Sequence, residues 1–277
     1  MTDTTDEQKR TLVAELEELG AQMKQLEEDC PKVLDPNKWT VLRVDGHCFS
    51  TFTQRFKNRR DQRLIDAMLH AAEEWLREFN GVTCYVQSDE ATLAIPPVDP
   101  TVQGATLIYG GRVSKIISLS AGFFSTKFNE GLPEEFKGVA YFDCRAFQVD
   151  STELLRGAFR WRLLDAFRNG VSTAVRMLDY FKPDVPRKLI ELYNTKQKLD
   201  LIKNHAKYDY SGDHLLHGTF IKKRKVNSKD YVRTKTERFV LGDDYVIKTP
   251  DIVWLTIKCL PDVDGFLFKF LKFFTKC

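Results

Sequence analysis

Val82-Thr83-Cys84-Tyr85-Val86-Gln87-Ser88-Asp89-Glu90-Ala91-Thr92-Leu93-Ala94-Ile95 holds two short β-forming runs, Val82 to Val86 and Ala91 to Ile95, with only Gln87 to Glu90 between them. Runs that close fold back as an antiparallel hairpin, and Pro96-Pro97 ends the pairing. The hairpin therefore carries acids at its tip. Towards the amino end, Asn80-Gly81 stops a helix predicted from about Asp61 to Phe79, whose apolar face is Ile65, Met68, Ala72, Leu76 and Phe79. Before it, Trp39 to Asp45 is rich in β-formers and ends in Asp45-Gly46, as a strand leading into a tight loop does. On the other side, Gly111 to Phe128 reads as a helix and Val139 to Val149 as a strand. The order is β-α-β-β-α-β, the split βαβ arrangement of ferredoxin-like folds. The fold class is α+β: an antiparallel sheet with helices on one face, followed by a helical and β-hairpin C-terminal elaboration.

Asp150-Ser151-Thr152-Glu153 opens a further helix, with a capping-box pattern, that runs towards Tyr180 and is stopped by Lys182-Pro183. A helix from about Arg187 to Asn204 follows, then strands near Gly218–Val226 and Tyr231–Val240. At the amino end, Leu12, Leu16, Leu19, Met23 and Leu26 recur at spacings of four and three within a helix from Glu7 to Asp29. That stripe suits an oligomerisation helix or one that packs on its own domain. Cys30-Pro31 and Asp35-Pro36 break it. The expected division is 1–34 for this helix, 35–150 for a catalytic domain and 151–277 for an extension that completes it. The aromatic and lysine stretch Phe266 to Phe274 reads as core or subunit packing in preference to a membrane-surface segment.

The 277 residues suffice to bury a core without disulfides. A net charge of +3 does not by itself imply a nucleic-acid partner, but the basic residues are bunched at Arg55 to Arg60 and at Lys222 to Lys225. Six scattered cysteines show no zinc-ligand spacing and suit reduced thiols. With no secretory signal and no apolar run of membrane-spanning length, the expectation is a soluble, cytoplasmic protein with no membrane partner, an organellar site remaining open.

Asp45 at the end of the first strand and Asp89-Glu90 at the hairpin tip come to one edge of the same sheet. Hard oxygen ligands there suit Mg²⁺, and two such ions roughly 3.5–4 Å apart activate a hydroxyl and neutralise a leaving pyrophosphate. Acids at turns are also commonly just solvated, so the pattern alone leaves both readings open.

Six motifs in order bear on the choice. Arg43-Val44-Asp45-Gly46-His47-Cys48-Phe49 is similar to R-[IV]-D-G-R-x-F, and Tyr85 to Glu90 to Y-x-x-S-D-E. Asp61-Gln62-Arg63 stands where N-D-E-R is expected. Ser114 to Ser118 is similar to S-K-I-[VI]-S, Phe142 to Arg145 to F-D-G-R, and Trp161 to Asp165 to W-R-x-x-D. Over about Trp39 to Lys225 the chain thus resembles the tRNA-histidine guanylyltransferase family of reverse, 3′-to-5′, polymerases, whose catalytic domain is a polymerase-like palm. The resemblance implies two Mg²⁺ ions on Asp45, Asp89 and the Gly46 carbonyl, with Glu90 supporting them as a third catalytic acid. It implies a nucleotide loop of Gly46, His47, Cys48, Phe49 and Ser50, with Ser88 ordering the hairpin tip. Lys115, Arg145 and Lys198 match positions that handle triphosphate or the RNA 5′ end. ATP and GTP or other nucleoside triphosphates would be substrates, tRNA or another structured RNA the partner, and a homotetramer the assembly.

Departures from the pattern narrow the reading. Where the guanylyltransferases proper carry H-I-N-N, this chain has Phe167-Arg168-Asn169-Gly170, keeping only Asn169, and His47 replaces the D-G-R arginine. Both fit a Thg1-like protein engaged in template-dependent 5′-end repair better than addition of a single G to tRNA-His. Expected RNA contacts are Lys57, Arg59, Arg60, Asn169, Lys222, Lys223, Arg224 and Lys225, through phosphates, with Tyr208 and Tyr210 as candidate stacking residues. The alternatives are a tRNA-His guanylyltransferase proper, a nucleotide cyclase on a related palm, and a catalytically silent RNA-binding module.

Overall fold

The computed structural model describes residues 3–29, 31–56, 61–137, 140–176, 192–205, 217–227 and 232–239. Two compact units are distinguished: Met1–Trp161 with Ile221–Glu237, and Arg162–Phe220 with Arg238–Cys277. The first unit opens with helix α1 (Asp3–Glu28), strand β1 (Trp39–Gly46) and a one-turn helix α2 (Phe49–Phe52). Helix α3 (Gln62–Glu78) follows, then β2 (Thr83–Gln87) and β3 (Glu90–Ile95). Helix α4 (Val113–Gly131) and strand β4 (Phe142–Val149) come next, and helix α5 (Thr152–Arg176) begins in the first unit, its residues from Arg162 on belonging to the second. Strands β5 (Thr219–Asn227) and β6 (Val232–Phe239) complete the set.

Among the described residues the sheet has six strands in the order β4-β1-β3-β2-β5-β6. Its β4-β1-β3-β2 portion, with α3 and α4 as crossovers, is the expected split βαβ arrangement. β1 pairs antiparallel with β3 from Thr40↔Ile95 to Asp45↔Glu90, and with β4 from Trp39↔Val149 to Gly46↔Phe142. The hairpin pairs from Thr83↔Ala94 to Gln87↔Glu90, which leaves Ser88 and Asp89 as its two-residue turn.

Strand alternation sorts the side chains. Leu42, Val44, Cys84, Val86, Leu93 and Ile95 face one way and join Met68, Trp75 and Leu76 of α3 and Ile116, Phe124 and Phe128 of α4 in the main core. Trp75, Leu76, Phe124 and Phe128 are fully buried, and each such side chain contributes roughly 1.5–3 kcal/mol or more. Helix α3 is closed at both ends by local chemistry. Asp61 accepts from the Arg63 amide at 3.1 Å, while Asn80 takes a positive φ of 54°. The Gly81 and Asn80 amides then donate back to the Leu76 and Arg77 carbonyls, a Schellman closure. A side chain at Gly81 would displace the buried Leu93, since a Cβ there would lie 2.3 Å from Leu93 Cδ1.

The palm helices α3 and α4 share one face, as expected; the opposite face is covered as well. Tyr85 and Phe147, on that face by alternation, are buried. Above it lie α1 and the start of α5, which approach each other closely: a Cβ on Gly20 would be 3.2 Å from Trp161 Nε1, and one on Gly157 3.0 Å from Leu19 Cδ1. Of the amino-terminal stripe, Met23 is fully buried. Helix α5 is capped by Ser151, whose Oγ accepts from the Leu154 amide at 3.1 Å. Glu153 does not close a capping box with it but pairs instead with Arg156 at 2.7 Å and Arg160 at 3.3 Å.

In the second unit, helix α6 (Thr195–His205) starts later than the sequence suggests. Asn194 is its cap, exchanging hydrogen bonds with Gln197 at 2.9 Å each way, so Leu192 and Tyr193 precede it. No helix among the described residues is long and apolar enough to cross a membrane. Cys48, Cys84 and Cys144 are free thiols. Tyr208, Tyr210 and the Phe266 to Phe274 stretch lie outside the described residues.

Candidate active site

Asp45 is the penultimate residue of β1, and its register places it between Glu90 of β3 and Asp143 of β4. Asp89 sits one residue before Glu90 in the hairpin turn. A backbone hydrogen bond from the Gly46 amide to the Asp89 carbonyl, 3.0 Å, ties the two elements together. A side chain at Gly46 would push on both neighbours: a Cβ would come within 2.5 Å of Phe49 Cδ2 and 3.1 Å of Asp89 Cβ. The loop after it is pinned on its other side by the His47 amide, which donates to the Tyr141 carbonyl at 2.9 Å. The His47 ring stacks on Tyr141 with centroids 4.8 Å apart.

Phe49, expected in the nucleotide loop, is buried. Its ring packs on Phe52, Phe128 and Phe142. Its side chain therefore anchors the loop, while His47, Cys48 and Ser50 are exposed. Cys48 and Ser88 each adopt a φ of 49°, a left-handed conformation that costs a non-glycine residue roughly 1 kcal/mol. At Ser88 the side chain acts on the Asp89 carboxylate, favouring its charged form.

The Asp89 carboxyl is pushed up from 3.8 to about 6 by its burial first and by the negative charge of Asp45 second, with Glu90 adding a little; the Ser88 hydrogen bond opposes them. Glu90 is engaged differently. It is buried and takes a hydrogen bond from Arg43 Nη1 at 3.2 Å. Burial works against the charge on Arg43, but the hydrogen bonds of Glu27 and the charge of Glu90 outweigh it and hold the guanidinium more basic than a free one. Among the described residues no group of three or more His, Cys, Asp and Glu side chains could hold a metal alone. Two carboxylates, one on β1 and one in the hairpin turn beside it, with a backbone carbonyl, nevertheless fit Mg²⁺, which takes one or two protein carboxylates and completes its shell with water and substrate phosphates. A divalent cation between Asp45 and Asp89 would also relieve the repulsion that raises Asp89.

The remaining sequence candidates are placed unevenly. Arg145 lies on β4 opposite Arg43, half exposed and 3.7 Å from Asp143. Lys115 is exposed near the start of α4, its Nζ 5.4 Å from the Tyr109 ring centroid. Lys198 and Asn169 belong to the second unit, where Lys198 Nζ donates to Ser172 Oγ at 3.0 Å and Asn169 is exposed. Lys222 to Lys225 lie on β5, with Lys222 partly exposed; the side chains of Lys223, Arg224 and Lys225, and all of Lys57, Arg59 and Arg60, lie outside the described residues. Sequence reasoning missed Glu27, Tyr141 and Asp143. Only Asp143 left a signal, inside the Phe142 to Arg145 motif.

The model of the family described as Thg1, tRNAHis guanylyltransferase, matches residues 20–150. The chain is 28% identical over 237 residues to an uncharacterized protein, R259, of Acanthamoeba polyphaga mimivirus, covering 76% of this chain and 79% of that protein. It is 28% identical over 159 residues to the tRNA(His) guanylyltransferase of Neurospora crassa, covering 54% of this chain and only 51% of that protein. In fold it is similar to a bacterial tRNA(His) guanylyltransferase (Thg1)-like protein in complex with ATP, with a TM-score of 0.64 at 22% identity over 87% of this chain and 97% of that chain. A structure of such a protein with GTP gives a TM-score of 0.60 at 21% identity, over 91% and 99%.

Proposed function

Because the chain belongs to the tRNA-His guanylyltransferase (Thg1) family of nucleotidyltransferases, we propose that it is a metal-dependent 3′-to-5′ enzyme that adds nucleotides to the 5′ end of tRNA or tRNA-like RNA, in template-dependent repair. The observation that carries this reading is the juxtaposition of Asp45 and Asp89, locked by the Gly46 amide on the Asp89 carbonyl. Asp45, Asp89 and the Gly46 carbonyl would hold two Mg²⁺ ions, which when bound lower the pKa of an attacking hydroxyl and neutralise the leaving pyrophosphate.

The chain's own residues supply position. Gly46 to Ser50 form a loop fixed at both ends, against which a triphosphate can lie. Arg145 and Lys115 offer cations for charge that develops on transferring phosphoryl groups; Lys198, in the second unit, is proposed to handle triphosphate or the RNA 5′ end. ATP and GTP are the nucleotides that similar proteins bind, and they are the substrates proposed here. Lys222, Lys223, Arg224 and Lys225 are the residues proposed to hold RNA phosphates, and Lys57, Arg59, Arg60 and Asn169 are further proposed RNA contacts. His47 in place of an arginine, and Phe167-Arg168-Asn169-Gly170 in place of H-I-N-N, favour repair of varied ends over addition of one G to tRNA-His. A cytoplasmic homotetramer is the expected working form.

The test offers purified protein, Mg²⁺ and labelled nucleotides to full-length tRNA-His and to a tRNA lacking its first 5′ nucleotide, with Asp89→Asn as control. Template-matched extension of the truncated tRNA, lost in the control, is the expected result. Incorporation into neither RNA would overturn the reading in favour of a cyclase or a silent binding module.

A further inference from the structure

Helix α1 ends in a contact that its own sequence does not call for. Glu27 lies on its last turn, where a carboxylate faces the negative end of the helix dipole. Nothing local favours an acid there. Its tertiary partner does: Arg43 Nε donates to Glu27 Oε1 at 2.9 Å and Nη2 to Oε2 at 2.7 Å, a two-point grip. The third arm of the same guanidinium, Nη1, reaches Glu90 Oε2 at 3.2 Å. All three side chains are more than 90% buried, and the Trp161 ring lies 5.6 Å from the Arg43 guanidinium carbon. Arg43 precedes Asp45 by two residues on the same face of β1, and Glu90 follows Asp89 directly.

On the reading of the carboxylate site given above, we propose that Glu27 is a positioning residue for that site: by gripping Arg43 at two points it limits Arg43 to one bond with Glu90 and keeps the guanidinium from turning towards Asp45 and Asp89. Glu27 offsets the Arg43 charge and also lies 4.0 Å from Nη1 of half-exposed Arg145. Neutralising Glu27 takes away one negative charge and releases at least one Arg43 donor beside the place where cations bind. The potential at Asp45 and Asp89 then becomes less negative, and a divalent ion binds less tightly. Buried ion chains of this kind contribute more to fixing one arrangement than to stability, and partners of a metal's own ligands commonly set its affinity.

Nucleotide-free protein is titrated with Mn²⁺, the free ion being followed by electron paramagnetic resonance. Wild type is compared with Glu27→Gln, Glu27→Asp and Asp89→Asn. Wild type is expected to bind and Asp89→Asn to lose binding. Glu27→Gln should weaken Mn²⁺ roughly 10-fold, with Glu27→Asp, which keeps the charge but loses the two-point grip, in between. Steady-state incorporation should show the same order in kcat, recovered at higher metal concentration, with KM for the nucleotide changed less than about twofold. Mn²⁺ affinity at the wild-type value in Glu27→Gln overturns the inference, since a merely structural role lowers Tm and leaves the metal alone. Where Glu27→Gln does not fold, wild-type affinity in Glu27→Asp overturns it equally. If wild type binds no Mn²⁺, the carboxylate-site reading itself fails, which is a different outcome.

Discussion

Replacing Asp89 by Asn should make the metal-free protein more stable while destroying its activity. Burial and the Asp45 charge raise the Asp89 carboxyl from 3.8 to about 6 in the folded protein. The folded state thus binds the proton more tightly than the unfolded one, so stability falls as pH rises from about 4 through about 6 and stays lower above. At about 1.4 kcal/mol for each tenfold in proton affinity, the ionised group costs about 3 kcal/mol at pH 7.5. Asn has no charge to lose and can still accept from Ser88. At about 2 °C per kcal/mol for a chain of this size, Tm in EDTA at pH 7.5 should rise by roughly 6 °C. The gain should shrink to roughly a fifth at pH 4 and vanish below about pH 3, where Asp89 is neutral in the folded and unfolded chain alike. Added Mg²⁺ should stabilise wild type more than the variant. Calorimetric scans at the two pH values, with and without metal, read all of this. A variant that melts at or below wild type in EDTA at pH 7.5 would refute the electrostatic account of the site.

Other outcomes follow from the same geometry. Asp45→Asn should lower single-turnover incorporation by at least about 100-fold and move the Asp89 carboxyl down, since it removes a neighbouring charge; the acid limb of a pH–rate profile would show the second effect. Ser88→Ala, losing the hydroxyl that holds Asp89 down, should move that limb upward instead. Gly46→Ala and Gly81→Ala both force a Cβ against a neighbour, at 2.5 Å and 2.3 Å, and each should cost about 1–3 kcal/mol in urea unfolding. Only Gly46→Ala should also lower kcat, because Gly81 meets Leu93 in the core. Lys222→Ala should weaken RNA binding uniformly across sequences and reduce the salt slope by about 1.

The hairpin, its acidic turn and the β-α-β-β-α-β order were legible because their signals are local: Asn80-Gly81, Asp45-Gly46 and Pro96-Pro97 punctuate alternating or helical periods within a few residues. The helix opening was less so. Leu192 to Asn194 fall inside the expected helix, yet the reciprocal Asn194–Gln197 bonds fix the start of α6 at Thr195. Partners were not legible at all. The stripe of α1 announces an apolar face but not what covers it, and close approach at Gly20 and Gly157 depends on two helices far apart in the chain. Glu27 among Glu28 and Asp29 looks like a solvated acid; only the fold brings Arg43 to it. The His47–Tyr141 stack joins residues on β1's loop and β4's edge, and nothing in either segment names the other. That Asp45 and Asp89 come to one sheet edge was legible from the strand and hairpin placing, whereas the burial that raises Asp89 belongs to tertiary structure.

The most direct measurement is the position of the added nucleotide. A 5′-truncated tRNA is incubated with protein, Mg²⁺ and α-labelled triphosphate, and the product is mapped by stepwise nuclease digestion from each end. Label at the 5′ terminus, matched to the opposing strand and absent with Asp89→Asn, is the expected result; label at the 3′ end, or only in a cyclic nucleotide, would contradict the account.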